Sequence, residues 1–394
     1  MSFLARVLTV WGGMHLYVFL RVWLYCGFGL KSAAAALPAV LLLMLAPIGG
    51  MWLERAGYGV LGRLVGIPGM VWAGAFFMFF SLSLVHDAWN LLLTAVGQVW
   101  PAAGRLRLTG WRPVAASAGL IAVLTLYGLG EAWAIRTRRV EVPTARLPAN
   151  VDRLRVVQIT DVHLGLSVGN WRLRKIARLV KRAEPDLIVS TGDLVDAQMA
   201  GLEEAGRMLA ELEAPRGKFA IAGNHEYYAG LEQALRFTRD AGFRMLLNET
   251  APAGEGLTLV GFEDRAARYA GGRPAWDEET ILSQAPEDTF VLVLKHRPFV
   301  NRELLHLMDM QLSGHTHRGQ IFPFSLAVVA YYEYPHGLVE LDPGTWLYTS
   351  LGTGTWGPPM RVFNPPEVTV IDLVRQGGPP GNSGEQQDHQ PPEA

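Results

Sequence analysis

Apolar residues along this chain follow two different rhythms. Up to about residue 135 they form long runs. Leu4 to Leu30 is broken only by Arg6, His15 and Arg21, Ala33 to Leu53 carries no charge, Ile67 to about Trp100 exceeds one untilted crossing, and Pro113 to Ile135 is a further run. About 20 helical residues cross a hydrocarbon core, so residues 1–135 are expected to form a multi-span membrane region of about four helices. A cleaved leader would account for the first run and not for the three that follow. A break between Asp87 and Gly104 would make a fifth crossing. His86 and Asp87 are expected to mark the end of a span at the headgroups, the other reading being a polar site within the bilayer.

With four spans, both ends lie on one side, which collects Arg6, Arg55, Arg63, Arg136, Arg138 and Arg139. The opposite side collects Lys31, Arg105, Arg107 and Arg112. Six against four leans toward a cytoplasmic second half. Around the last span alone the count is three against three, which leaves the side undecided.

From Arg136 the rhythm shortens. Residues 136–152, with Pro143 and Pro148, read as a linker. In residues 153–375, strand-like runs alternate with stretches of helical spacing. Strands are expected at Leu154–Thr160, Asp186–Ser190, Lys218–Ala222, Leu257–Val260, Thr289–Leu294 and Met308–Leu312, with helices at Trp171–Ala183, Leu202–Leu212 and Leu231–Asp240. Three further strand signals, at Gly337–Leu341, Trp346–Ser350 and Glu367–Leu373, have no helix between them. Strands separated by helices argue for an α/β domain with a largely parallel sheet. Residues 376–394 are Gly, Pro, Gln and acidic, and are expected to be a disordered tail.

Half of the 394 residues are apolar and the net charge is −1, which gives no sign of a nucleic-acid partner. The one cysteine, Cys26, lies in an apolar run, so there is no disulfide framework.

The chemistry-bearing residues fall in five short clusters, each just past an apolar run. They are Asp161-Val162-His163, Gly192-Asp193, Gly223-Asn224-His225-Glu226, Lys295-His296-Arg297-Pro298 and Gly314-His315-Thr316-His317. Open α/β sheets bind ligands at the carboxyl ends of their strands, so these clusters are expected to converge. Asp161 and His163 can aim at one ion, and Asp193 has two carboxylate oxygens and can bridge two. Asn224 offers a neutral oxygen, and His296, His315 and His317 offer imidazole nitrogens. Mixed nitrogen and oxygen donors suit Mn, Fe or Zn better than Ca or Mg. Any one cluster alone is an ordinary turn; the five together are not.

The order Asp-x-His, Gly-Asp, Gly-Asn-His-Glu, a separate His and Gly-His-x-His resembles the calcineurin-like metallophosphoesterases. The stretches SGHTHRGQIFPF and GTGTWGPPMRVFNPPEVTVIDL are similar to its membrane-associated bacterial branch, that of YkuE and YaeI. Arg318 departs from the Gly common after the second His of that branch. The resemblance implies a β-sandwich flanked by helices. It also implies one metal on Asp161, His163, Asp193 and His317, and a second on Asp193, Asn224, His296 and His315, with Asp193 bridging. Two cations lower the pKa of a water and bind phosphoryl oxygens, and His225 is then placed to neutralise or protonate the leaving oxygen. Glu226 either orients that imidazole or is an uninvolved exposed residue, and Asp196 is expected to start a helix, the other reading being support of a metal ligand.

Arg361 and Arg318 are candidate substrate contacts, since a guanidinium matches phosphate geometry; for Arg361 a structural ion pair is the alternative. Phe322 to Tyr334 is expected to line the substrate, face the membrane or join the core. The whole reads as a multi-pass cell-membrane protein with a dinuclear-metal hydrolase acting on phosphomonoesters or phosphodiesters. Tethering favours a lipid or lipid-linked phosphate. Two other classes remain: a membrane sensor or transport protein with a metal-binding regulatory domain, and a nuclease of the same superfamily.

Overall fold

The structure is a computed structural model that describes residues 3–196, 199, 201–270 and 276–376. The expected tail lies outside the described residues apart from Gln376. Four helices are long and apolar enough to cross a membrane: α1 (Phe3–Cys26), α2 (Leu30–Arg55), α3 (Gly59–Val96) and α4 (Trp111–Trp133). α3 runs unbroken through His86 and Asp87, so the possible fifth crossing is not formed. Asp87 lies inside the helix and accepts from Arg21 Nε at 2.9 Å, Tyr17 Oη at 2.5 Å and Tyr25 Oη at 3.3 Å. These bonds satisfy the carboxylate and tie α1 to α3. α2 and α3 form a tight hairpin because Gly50 faces Gly66, where a Cβ on Gly50 would come within 2.2 Å of the Gly66 Cα. Small residues let helix backbones meet this closely.

The second half begins earlier than the sequence suggests. β1 (Arg136–Thr144) occupies most of the expected linker and pairs in parallel with the last strand, β12 (Glu367–Arg375). Pro143 obscured it, yet β1 is a sheet edge, where a missing N–H is tolerated. Between them come β2 (Arg153–Ile159), α5 (Asn170–Arg182), β3 (Leu187–Ser190), α6 (Glu203–Ala210), β4 (Lys218–Ala220), α7 (Asn224–Ala229), α8 (Leu231–Asp240) and β5 (Arg244–Met245). Then follow β6 (Glu249–Pro252), β7 (Leu257–Gly261), α9 (Glu278–Leu282), β8 (Phe290–Leu294), β9 (Met310–Ser313), α10 (Phe324–Tyr331), β10 (Gly337–Asp342) and β11 (Thr345–Thr349).

The strands form two six-stranded sheets, ordered β1-β12-β2-β3-β4-β5 and β10-β11-β9-β8-β7-β6. Pairings are parallel except for β12 with β2, β6 with β7 and β10 with β11. Alternation along each strand serves two cores. Leu154 and Val156 of β2, Leu187 and Val189 of β3, and Leu292 and Leu294 of β8 fill the space between the sheets. Val157, Ile159 and Ile188 point the other way, under α5, α6 and α8. The architecture is thus a β-sandwich flanked by helices behind a helical N-terminal region.

The two halves are docked. Arg172 and Lys175 of α5 donate to the backbone carbonyls of Ala132 and Trp133, the last carbonyls of α4. Cations at a helix C-terminus satisfy both its free carbonyls and its dipole. Met78 and Ile121 of the apolar helices pack with Ile321, Met360 and Val362 of the sandwich.

Arg155 and Asp372 are register partners across β2 and β12, and their side chains make a buried two-point ion pair at 2.7 and 3.0 Å. Replacing Asp372 with Ala leaves a buried guanidinium without its anion, which costs about 3–5 kcal/mol. Thermal unfolding of the solubilised D372A protein should show a clearly lowered midpoint. An unchanged midpoint would mean that Arg155 finds water or another partner.

Candidate metal centre

Five strands deliver the polar clusters to one place. Asp161 and His163 follow β2, Asp193 follows β3, Asn224 and His225 follow β4, His296 follows β8, and His315 and His317 follow β9. All these strands are parallel members of the two sheets, so their carboxyl ends share an edge of the sandwich. Five of these residues hold a left-handed backbone: Asp161 (φ 52°), His163 (55°), Asp193 (52°), His315 (69°) and His317 (45°). Such conformations are sparsely populated for residues with a Cβ and persist where surroundings enforce them. The adjacent glycines allow the approach. A Cβ on Gly223 would sit 2.3 Å from Asp193 Oδ1, and one on Gly314 would sit 2.2 Å from Asp161 Oδ2.

The donors form three overlapping groups, Asp161 with His163 and His317, His163 with Asp193 and His225, and Asp193 with His296 and His315, within 4.8 Å of one another in each. His163 Nε2 lies 3.1 Å from His317 Nε2, and His317 Nε2 lies 3.4 Å from Asp161 Oδ1. On the other side, His296 Nε2 faces Asp193 Oδ2 at 3.2 Å, Asn224 Oδ1 at 3.2 Å and His315 Nδ1 at 3.1 Å. Asp193 joins the halves, since its Oδ2 also lies 3.9 Å from His163 Nε2. The site is deeply buried: Asp161 is 0 % exposed and His296 1 %.

The donor set fits cations. His296 Nδ1 meets the Thr191 carbonyl at 2.9 Å, so a neutral ring carries its proton there. Its Nε2 is then a bare acceptor confronting two oxygens that also only accept. Positive charge must stand between them. Burial opposes a proton on His296, but Asp193 and Asp161 prevail and push its pKa up to about 10. Burial and the neighbouring cationic ring of His225 hold His163 down at about 3, and burial with His296 and Arg297 does the same for His315. Neutral imidazole is the form that ligates. The buried Nδ1 of His163 has no hydrogen-bond partner.

Around this cluster, three residues do other work than the sequence suggests. Glu226 neither orients His225 nor lies exposed. Its buried carboxylate accepts the backbone N–H groups of Asp193 (3.0 Å), Leu194 (2.8 Å), Val195 (3.3 Å) and Gly223 (2.7 Å), clamping two ligand loops together. Asp196 does not cap α6, which begins at Glu203; its Oδ1 lies 2.8 Å from His225 Nδ1. The two are 29 residues apart, and no local signal links them. Arg361 is fully buried, donates to the carbonyls of Leu351 and Gly354, and reaches His317 Nδ1 at 2.9 Å. Its donors are spent behind the cluster, so the structure does not offer it to a substrate. The half-buried Arg318 lies close enough to His336 to help burial depress that imidazole to about 4. Arg297, beside the cluster, is held by Asp264 at 2.7 Å and reaches Asn224 Oδ1 at 3.4 Å.

Residues 154–319 match the calcineurin-like phosphoesterase family. A protein of Aquifex aeolicus described as an uncharacterized metallophosphoesterase is 37% identical over 256 residues, covering 65% of this chain and 98% of its own. A transmembrane protein with metallophosphoesterase domain from Danio rerio is 32% identical over 268 residues, covering 64% of this chain and 61% of its own. The metallophosphoesterase YkuE of Bacillus subtilis is 29% identical over 256 residues, with 61% and 85% covered.

Glutamine in place of Glu226 would set an amide N–H₂ among four N–H donors and remove the anion they solvate. Losing hydrogen bonds to a buried charge costs about 2–3 kcal/mol. The E226Q protein should unfold at a lower temperature than wild type in thermal melts. A melting midpoint equal to wild type would show that the clamp carries no stability.

Proposed function

Because the chain belongs to the calcineurin-like metallophosphoesterases, enzymes that hydrolyse phosphate esters, we propose that it is a multi-pass, membrane-anchored phosphomonoesterase or phosphodiesterase with a dinuclear centre. One cation would be held by Asp161, His163, Asp193 and His317, and the other by Asp193, Asn224, His296 and His315. The observation that carries this reading is that His296 Nε2 lies 3.2 Å from both Asp193 Oδ2 and Asn224 Oδ1, a meeting that requires positive charge, a proton or a cation, at its centre. When bound, two divalent cations supply charge for the phosphoryl oxygens and acidify a water. Mixed nitrogen and oxygen donors suit Mn, Fe or Zn.

The chain's own groups supply positioning and the proton. His225 follows the ligand Asn224, and its ring lies 4.5 Å from that of His163. Burial disfavours its charge, but Asp193 and the hydrogen-bonded Asp196 outweigh burial and raise its pKa to about 9. His225 therefore holds a proton at neutral pH and is placed to give it to the leaving oxygen. Asp196 orients the ring by taking the Nδ1 hydrogen, which leaves Nε2–H as the donor. Arg297 fixes the amide oxygen of Asn224. Arg361 can only donate, so His317 Nδ1 accepts and any ring proton sits on Nε2, facing Asp161.

Two outcomes follow. Substituting His225 with Ala should lower turnover of bis-p-nitrophenyl phosphate or p-nitrophenyl phosphate about 10²–10³-fold, the usual worth of a positioned general acid, while metal content stays. Wild-type turnover by H225A would contradict the role, and loss of metal as well would make it a ligand instead. Second, cation uptake must displace the proton of His296. The folded pKa of His296 is raised, to about 10, so protons compete throughout the range below it. Mn affinity should accordingly climb as pH rises from about 6 to 9, with protons released on binding; pH-independent affinity would contradict the assigned ligands.

A further inference from the structure

α10, with sequence Phe-Ser-Leu-Ala-Val-Val-Ala-Tyr, presents no charged side chain on any face, and only Val328 is buried. Leu326 is 63% exposed and Tyr331 72%, with Phe322, Phe324 and Val329 exposed beside them. An apolar element of this kind facing water is costly, and a contiguous exposed apolar patch marks an interaction surface. Phe324 meets Phe77 of α3 edge-on at 6.1 Å, and Phe363 packs on Phe322 and on Tyr127 of α4. The patch is therefore continuous with the flanks of two helices that are themselves suited to lipid.

Its depth can be read from both helices. Trp89, Trp100 and Trp111 are exposed at the end of the bundle remote from the sandwich, with Arg105, Arg107 and Arg112 near them. That is the composition of a headgroup interface. A hydrocarbon core of ~30 Å takes ~20 helical residues. Counting that far along α4 from Trp111 reaches Glu131, beside the exposed pair Trp133 and Trp171. Counting back along α3 from Asn90 reaches Met70. Phe77 on α3, and Leu124 on α4 in the same docking cluster, lie ~7 residues inside that level, or ~10 Å. Interfacial helices sit about 5–10 Å below the boundary.

The Trp356 flank of the metal centre lies near that level. Ser167 Oγ contacts Met70 Sδ at 3.2 Å and donates to the Gly357 carbonyl at 3.0 Å. The neighbouring Trp356, half exposed, stands 6.3 Å from the His225 ring. On the other flank α10 leads into Tyr332, 6.1 Å from the His315 ring.

We propose that α10, with Phe322 and Phe363, is submerged in the same bilayer that α1–α4 cross, so that the metal centre opens at headgroup level onto phosphate esters carried by lipids. This rests on the membrane-anchored phosphoesterase reading and names its substrate class. A headgroup phosphate would meet the site while its acyl chains stay in the hydrocarbon beside α10.

The test uses the full chain in phosphatidylcholine vesicles. A bimane probe on L326C, in a C26S background, is compared with one on E232C, an exposed residue of α8. The Leu326 probe should be quenched by brominated lipid and resist aqueous iodide, with E232C behaving oppositely. Equal iodide access at both positions would overturn submersion, whatever the enzyme's activity. Separately, the double variant L326E/V329E in detergent should keep wild-type turnover of bis-p-nitrophenyl phosphate. In vesicles, its hydrolysis of whichever lipid the wild type cleaves, the monoester phosphatidic acid or the diester phosphatidylcholine, should fall at least 10-fold. Equal loss on both esters, or on neither, would overturn the lipid assignment. A lipid-buried probe on a protein that cleaves neither ester would retain submersion while overturning the lipid-phosphatase assignment and the phosphoesterase reading together.

Discussion

The Asp193 carboxylate stands between two sets of imidazoles in a place with almost no water, and the rest of the site is arranged to keep it there. A buried anion of this kind is unstable unless positive charge joins it. The four backbone N–H groups held by Glu226 fix the Asp193 loop against the Gly223 loop. Asp193 Oδ1 in turn accepts the N–H of His225 at 2.8 Å. The left-handed residues at the strand ends are the local cost of aiming so many donors inward. Two packed sheets, each with a nearly dry core on both faces, provide the rigidity that holds them. Function and stability therefore draw on the same loops.

The sequence disclosed the parts that are set by short-range pattern. Phe290 to Leu294 is buried on both faces and reads as an unbroken apolar run, and Leu154 to Ile159 is interrupted only by Arg155 and Gln158. The clusters after them were visible because parallel strands place their carboxyl ends together. What was hidden was set by long-range packing. Nothing near Arg361 says that Leu351, Gly354 and His317 will absorb its donors, so phosphate recognition was the natural expectation for a guanidinium there. Asp196 could not be paired with His225, nor Glu226 with the amides of another loop, before β3 and β4 were laid side by side. Pro143 disguised an edge strand as a linker, and the run Phe322 to Tyr334, charged only at Glu333, gave no period by which to choose between loop, core and helix.

The helical half is more than a tether. Its contacts run from the α4 carbonyls, taken by Arg172 and Lys175, to the packing of Met78 and Ile121 on Met360 and Val362. Gly128 of α4 lets the backbone of Arg361 approach, and Arg361 N–H donates to the Gly128 carbonyl at 2.9 Å. The same arginine supports His317. A ligand of the proposed centre is thus two contacts away from an apolar helix, and the catalytic half is held at a fixed height relative to the bundle.

The central claim is that this buried cluster is a two-cation centre, and counting the metal tests it most directly. Elemental analysis of the solubilised protein, stripped and then refilled with Mn, should give two equivalents per chain, falling to well under one in D193N because both sites share that carboxylate. A single equivalent in the wild type, or two retained in D193N, would contradict the account.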